Sequence, residues 1–374
     1  MTGCYTSTLA ARGRIDRVDT LPEMLRRKGY RTSAIAQKWD IDALGGKGRE
    51  GAAFDTIVVE QEIPAEEINK KAIEILETRD PGKPFFLFAF YYEPHDPYRK
   101  HDGFDYGNRA VDLYDSEISY LDAQLGQLIN YLEERGYFEN TLLVVTADHG
   151  DELGQHGGWG HHWKMHDCLI HVPLILRVPG LGPAEVPTPV HSIDLAASLV
   201  ELLGLEPNGT LDGTSFIPYL TKGEPPYVPR VFSEAEFQSS RKVCMIQYPW
   251  KLVYHASDGF FELIDLDADP GERFNRVDDA PDVLAVLRTG LLSWMRYRGR
   301  DASPAREVEN ASARTICERL ARHDAGALSD LRALLEEPLS ANDFEAVGEA
   351  VAPYFSADAA FFLEIGSASC RESV

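Results

Sequence analysis

The chain has 374 residues and sets 60 Asp and Glu against 37 Lys and Arg, a formal net charge of −23 at pH 7. That balance argues against nucleic acid and anionic membrane surfaces as partners, and any anion site must then rely on local cations or a metal. The length suits one large α/β domain with an appendage, or two domains, and no apolar stretch reaches membrane-spanning length. Cysteines at 4, 168, 244, 317 and 370 form no pair with metal-type spacing and no disulfide framework, so the compartment stays open.

Thr20-Leu-Pro-Glu23 opens the first predicted helix: Thr20 is the N-cap, Glu23 completes a capping box, and Gly29 marks the stop. RTSAIAQKWDI (31–41) follows as a strand running into a loop. Residues 64–79 form a second helix, with Ile68, Ala72 and Ile75 on one face. PFFLFAFYY (84–92) is continuously apolar and short, which suits a strand buried on both faces; it ends in the proline-broken EPHDPY. The clearest helix is 109–135, where Tyr114, Ile118, Leu121, Leu125, Leu128 and Leu132 alternate steps of four and three to make one apolar stripe. An apolar strand at 141–147 then stops on the polar run DHGDELGQHGG. HVPLILRVPG (171–180) is a further short strand, and SIDLAASLVELLG (192–204) a helix ending in Gly. Residues 1–222 therefore alternate strands and helices, the pattern of a mixed, mostly parallel sheet between helices.

The texture changes over 223–298. RVFSEAEF, KVCMIQYPWKLVYHA and FFELIDL are short β-like runs, predicting a small antiparallel sheet. A helix at 281–297 has Leu284, Leu287, Leu291 and Trp294 as its inner face. Residues 299–363 read as a helical extension, and the tail EIGSASCRESV (364–374) resembles translated sequencing-adaptor sequence and is set aside as non-native.

Chemistry-bearing residues collect where predicted strands end. Lys38 follows the first strand, His95 lies in EPHDPY, Asp148 and His149 follow the strand at 141–147, and His161, His162 and Lys164 stand just before the strand at 171–180. Each alone has an ordinary reading: a solvated lysine, a turn histidine, an aspartate capping a helix. Together they place cations and metal-type ligands at one edge of an open α/β sheet, where such sheets bind ligands. A metal there can polarise an ester oxygen while the cations hold the developing anion.

In their order these segments resemble the sulfatase family of the alkaline phosphatase superfamily. TLPEMLRRKGYRTSAIAQKWDI resembles the family's early helix and strand ending in Gly-Lys-Trp-His, and KPFFLFAFYYEPHDPY its strand ending in Pro-His-x-Pro-Tyr. YDSEISYLDAQLGQLINYLEERGYFENTLLVVTADHGDELGQHG is similar almost throughout, and HVPLILRVPG, IDLAASLVELLGL, LDGTSFIPYL and ELIDLDADPGERFNR complete a series reaching about residue 297. The resemblance implies an alkaline phosphatase-like fold. It implies Asp148 and His149 as ligands of a divalent metal, most often Ca²⁺, with Mn²⁺ or Zn²⁺ open because His149 is less natural for Ca²⁺. It also implies His95 beside the sulfate and leaving group, and Lys38 as a sulfate-binding lysine.

Three departures qualify the match. The family's Cys/Ser-x-Pro-Ser-Arg motif, whose first residue matures to the nucleophilic formylglycine, is absent; Thr2-Gly3 matches the pair that follows it, so the chain is expected to be truncated upstream of Met1. Cys4-Tyr-Thr-Ser-Thr8 lacks both the Pro and the Arg of that motif. Asp40 stands where the pattern has His. Counting back from Val172-Pro173 puts His162 at the family's second catalytic Lys, suited to protonating a leaving oxygen, with Lys164 the alternative if the loop shifts by two. The expectation is a metal-dependent hydrolase of small-molecule or carbohydrate sulfate esters. The alternatives are a phosphodiesterase or phosphonate monoester hydrolase of the same superfamily or, in another class, a non-catalytic fragment that binds metal or anion only.

Overall fold

The structure is a computed structural model that describes residues 19–37, 54–59, 63–161, 164–186, 188–209, 211–222, 230–237 and 240–297. Lys38, Asp40, His162, the segment 1–8 and the expected extension and tail at 299–374 lie outside the described residues. Two units divide the rest: the residues up to Glu185 with Ser192–Ser215, and Val186–His191 with those from Phe216 on.

In the first unit, helix α1 (Leu21–Arg27) begins on the expected capping box, Thr20 N–H donating to Glu23 Oε2 at 2.8 Å, and the chain leaves it through Gly29 at φ 91°. Leu21, Met24 and Leu25 are buried in a cluster with Leu199 and Leu205. Strand β1 (Arg31–Ala36) is buried over its last five residues because it is central in a parallel sheet, flanked by β2 (Thr56–Val59) and β3 (Phe85–Ala89). Helix α2 (Ala65–Thr78) buries Ile68, Ala72 and Leu76; Ile68 and Ala72 pack in a cluster with Ile35, and Ile75 is only partly buried. β3 is half-buried along its whole length rather than enclosed on both faces, and its described pairing is to β1 alone.

Helix α3 (Ala110–Glu134) departs further from its apolar stripe. Leu132 is buried, Ile118 is 42% exposed, and the other buried positions are the polar Asp112, Ser116, Glu117 and Gln124. The reason is the company the helix keeps. Asn69 of α2 donates to the Gln124 carbonyl at 2.7 Å, His101 N–H donates to Ser116 Oγ at 2.9 Å, and Arg99 N–H donates to Glu117 at 2.8 Å. Backbone donors of an irregular loop must find acceptors, and this face of the helix supplies them.

Strand β4 (Leu143–Thr146) comes next, then a hairpin of β5 (Glu152–Leu153) and β6 (Trp159–Gly160), helix α4 (Asp167–Ile170), strand β7 (Leu174–Arg177) and helix α5 (Ser192–Leu203). β7 runs antiparallel to β4, with Thr146 opposite Leu174, so the sheet structure of this unit is mixed. That direction places the approach to β7 beside the exit of β4.

The second unit contains helix α6 (Ile217–Lys222) and a four-stranded antiparallel sheet. Its strands are β8 (Val231–Phe237), β9 (Ser240–Gln247), β10 (Trp250–His255) and β11 (Phe260–Asp265), paired in sequence order. Helix α7 (Pro281–Tyr297) turns Leu287 and Leu291 onto a core of Val243, Met245, Leu252 and Leu263, with Leu284 and Trp294 at its margin, as the sequence pattern predicts. Lys251 and Glu272 are enclosed as an ion pair at 2.6 Å.

Candidate active site

The site grows from the loops that leave β3 and β4 and the one that approaches β7. After β4 the chain turns through Asp148-His149-Gly150-Asp151. Gly150 N–H donates to Leu169 O at 2.8 Å, and a Cβ on Gly150 would stand 2.1 Å from Cys168 O, so only glycine lets the turn lie against α4. Asp148 Oδ1 accepts the His149 N–H at 2.9 Å while the Asp148 side chain is 65% exposed. His149 Nδ1 donates to Gly150 O at 3.0 Å in the tautomer that leaves Nε2 free as a ligand atom.

Three imidazoles follow one another across these loops. The His149 and His161 rings are stacked with centroids 4.4 Å apart, and His161 is 5.0 Å from His95, which in turn stacks on Tyr92 at 4.5 Å. Asp151 backs the row. Its side chain is 4% exposed, Oδ1 lies 3.4 Å from His161 Nδ1, and Oδ2 accepts the Tyr98 hydroxyl at 2.6 Å. Burial, then the charges of His149 and His95, hold the His161 pKa below its ordinary value, against the pull of Asp151. Burial and the Asp151 carboxylate push the Tyr98 hydroxyl up, so it remains a donor.

Ligand atoms of His149, Asp151 and His161 all lie within 4.8 Å of one another, and Asp151 Oδ1 is buried with no hydrogen-bond partner. A buried carboxylate oxygen of that kind, facing two imidazoles, fits a divalent ion that accepts nitrogen as well as oxygen. Lys164 is differently placed. It donates to both oxygens of Glu152, at 2.9 and 2.7 Å, and to His156 O at 3.0 Å, which makes it a brace of the hairpin.

Of the residues predicted from sequence, His95, Asp148 and His149 are described. The structure brings His95 and His149 to either side of His161, and leaves Asp148 more open, its Oδ2 3.8 Å from His149 Nε2. Sequence reasoning favoured His162 over its neighbour His161 and passed over Asp151 and Tyr98. The signals lie in the sequence itself, in His161 next to His162, the second acid of DHGD and the tyrosine of PHDPY. A second hollow of about 510 Å³, lined by Arg26, Tyr30, Arg31, Asp55 and Lys83, lies where β1 and β3 begin, at the other edge of the parallel sheet.

An imidazole row and a buried carboxylate thus stand together in the loops that follow β3 and β4. Residues 1–205 match the family profile described as Sulfatase, and the chain belongs to the sulfatase family. Residues 154–293 match the profile N-sulphoglucosamine sulphohydrolase, C-terminal. A choline-sulfatase of Rhizobium meliloti (strain 1021) is 33% identical over 176 residues, 46% of this chain and 34% of that protein. An uncharacterized sulfatase of Escherichia coli (strain K12) is 28% identical over 282 residues, 62% of this chain and 55% of that protein. The chain thus spans between about a third and about half of these curated relatives. Among solved structures, the phosphonate monoester hydrolase of Agrobacterium radiobacter has a TM-score of 0.65 at 20% identity, covering 80% of this chain and 85% of that one. A structure in complex with its substrate D-glucosamine-2-N,6-O-disulfate has a TM-score of 0.65 at 19% identity, covering 80% and 87%. The fold is that of the alkaline phosphatase superfamily, as expected. Among the described residues no helix is long and apolar enough to cross a membrane.

Proposed function

We propose that the chain carries the anion-binding and metal-binding side of a metal-dependent hydrolase of sulfate esters, acting on a small-molecule or carbohydrate sulfate. The observation that most supports this is the row His95–His161–His149, ring beside ring at 5.0 and 4.4 Å, against the buried Asp151. In a chain of net charge −23 such a row is a local source of N–H donors and positive charge. Its members repel one another when protonated, so an anion that settles there draws protons onto the row.

A divalent ion held by Asp148 and His149, with Asp151 as a further donor, would act as a Lewis acid on an ester oxygen. Ca²⁺, Mn²⁺ and Zn²⁺ are the candidates, and the imidazoles favour the last two. The nucleophile expected of the family is a formylglycine hydrate that attacks sulfur, and it lies outside the described residues. As the bond from sulfur to the leaving oxygen breaks, His161 gives that oxygen its proton, a transfer eased by the lowered pKa of the ring. His95 holds the sulfate from the opposite side of His161. Lys38 and His162 keep their proposed roles, the lysine on sulfate and the histidine beside the leaving alcohol.

The test is turnover of an aryl sulfate, beside the matching phosphate and phosphonate esters, by the protein purified together with its formylglycine-bearing segment. Sulfate is expected to be preferred, and His161→Ala to lower kcat by about 10²–10⁴-fold. A variant as fast as the parent removes His161 from the mechanism. A preference for phosphate diesters or phosphonates supports the second reading, which Asp40 and His162 favour by replacing the family's His and Lys. Sulfate binding without turnover leaves the binding-only reading. In the same preparation Asp148→Ala is expected to lower bound metal, measured by elemental analysis; unchanged stoichiometry removes Asp148 from the donor set.

A further inference from the structure

We propose that Glu117 is a positioning residue for His95: its enclosed carboxyl, carried on α3, holds the backbone of the His95 loop from beneath. The proposal rests on the reading of His95 as a sulfate contact, but its geometry stands apart from that reading. The Glu117 side chain is 4% exposed, and its Oε1 accepts the backbone N–H of Arg99 at 2.8 Å, while the backbone N–H of His95 stands near enough to bear on its charge. That bond pins the loop four residues beyond His95. Neighbouring anchors are separate: Ser116 takes the His101 N–H at 2.9 Å, and Glu93 Oε1 takes the Ala65 N–H at 3.1 Å. The stretch 95–99 belongs to no strand, so without Glu117 the Arg99 N–H would lose its acceptor, and the His95 ring would lose the base on which it stacks against Tyr92 and His161.

The surroundings make this clamp responsive. Glu117 Oε2, Glu93 Oε2 and His101 Nε2 are buried without hydrogen-bond partners, and His101 Nε2 lies 3.9 Å from Glu117 Oε1. The charged and titratable groups that bear on the cluster are Glu93, Arg99, His101 and Asp102 from the loop and Glu66 from α2, whose carboxylate takes the Tyr120 hydroxyl at 2.8 Å. Burial first, then the charge of Glu93, raise the Glu117 pKa to about 7 against the backbone N–H groups of Arg99 and His95 and the Arg99 charge. Burial lowers that of His101, so the imidazole supplies little charge to offset it. A carboxyl that titrates in this range holds the loop firmly as an anion and less firmly as an acid.

The experiment is amide hydrogen exchange and imidazole NMR on the full chain, with inorganic sulfate as the probe ligand. Glu117→Ala is expected to lower the protection of the His95 and Arg99 amides and to weaken sulfate binding, each by about 10-fold, while the amides of β9 keep theirs. Glu117→Gln retains an acceptor, so it should restore protection to near the parent value and abolish the inflection near pH 7 in the shift of the Arg99 amide that donates to this side chain. Unchanged protection in Glu117→Ala overturns the proposal. If that variant does not fold, an inflection that persists in Glu117→Gln overturns it. Sulfate that leaves the His95 resonances of the parent unmoved refutes the functional reading alone, since amide protection still reports on the clamp.

Discussion

The hairpin around Glu152 and the loop above Glu117 enclose carboxyls to nearly the same depth, 0% and 4% of each side chain remaining exposed, yet the two groups end with opposite acidities. Burial pushes Glu152 up, but the Lys164 ammonium at 2.7 Å and the backbone N–H groups of Gly158 and His156 outweigh it and leave the pKa below the ordinary value. Glu117 has a bonded backbone donor too, the Arg99 N–H, but the carboxylate of Glu93 acts beside it, and it is raised to about 7. Backbone donors fix where a carboxylate sits; a bonded ammonium fixes its charge as well. The hairpin is thereby a permanent brace for the segment that presents His161, whereas the His95 loop rests on a group that exchanges its proton near neutrality.

The largest expected effect comes from removing the cation of the first pair. Lys164→Ala strands Glu152 as an enclosed charge, and unfolding free energy from denaturant titration should fall by roughly 3–5 kcal/mol. A loss below about 1 kcal/mol would put the pair in the class of surface ion pairs and end the contrast with Glu117. A smaller effect of opposite sign is expected at Glu117. Its pKa in the folded chain lies above the unfolded value, near 4.5, so the native state binds the proton more tightly. Stability from this group is therefore complete below about pH 4.5 and is lost as pH rises through about 7. Glu117→Gln should be more stable than the parent above pH 7 by about 2 kcal/mol, the gap closing in acid. A gap independent of pH would show that the carboxyl is not the group titrating.

Much of this arrangement could be read from residues alone, and the failures share a cause. The capping box at Thr20, the helix at 281–297 with its apolar inner face, and the stop of β4 on Asp-His-Gly-Asp are local patterns, set by neighbours a few residues away. The sequence does not show the buried face of α3 because Ser116 and Glu117 accept backbone N–H groups of a loop, and Gln124 the side-chain amide of Asn69, all distant in the chain, which no periodicity records. The apolar spacing of Tyr114 to Leu132 remains in the sequence, and Ile118 is exposed nonetheless. His161 gets no role from sequence because the stacking of its ring on His149 joins residues twelve positions apart, which no local pattern records. Asp151 needed Tyr98, 53 positions away, to be recognised as more than a surface acid.

That last contact supplies the smallest and most selective way to sharpen the comparison. Asp151, like Glu117, is enclosed, but its one close donor is a hydroxyl, at 2.6 Å on Oδ2, while Oδ1 has no hydrogen-bond partner. Tyr98→Phe removes that donor and preserves the ring that packs edge-on against Tyr114 at 5.3 Å. Stability should fall by about 1 kcal/mol, the worth of one hydrogen bond to an enclosed group. If Asp151 is also a metal donor, the hydroxyl orients it as outer groups orient ligands, and affinity for Zn²⁺ or Mn²⁺, measured by calorimetry, should weaken by about 10-fold or more. The two readouts separate the roles. A protein that melts lower but binds the ion as before has in Asp151 a structural acid only, and the donor set contracts to Asp148 and His149. A protein that melts as before but loses the ion has in Tyr98 a group whose work is to aim one carboxylate.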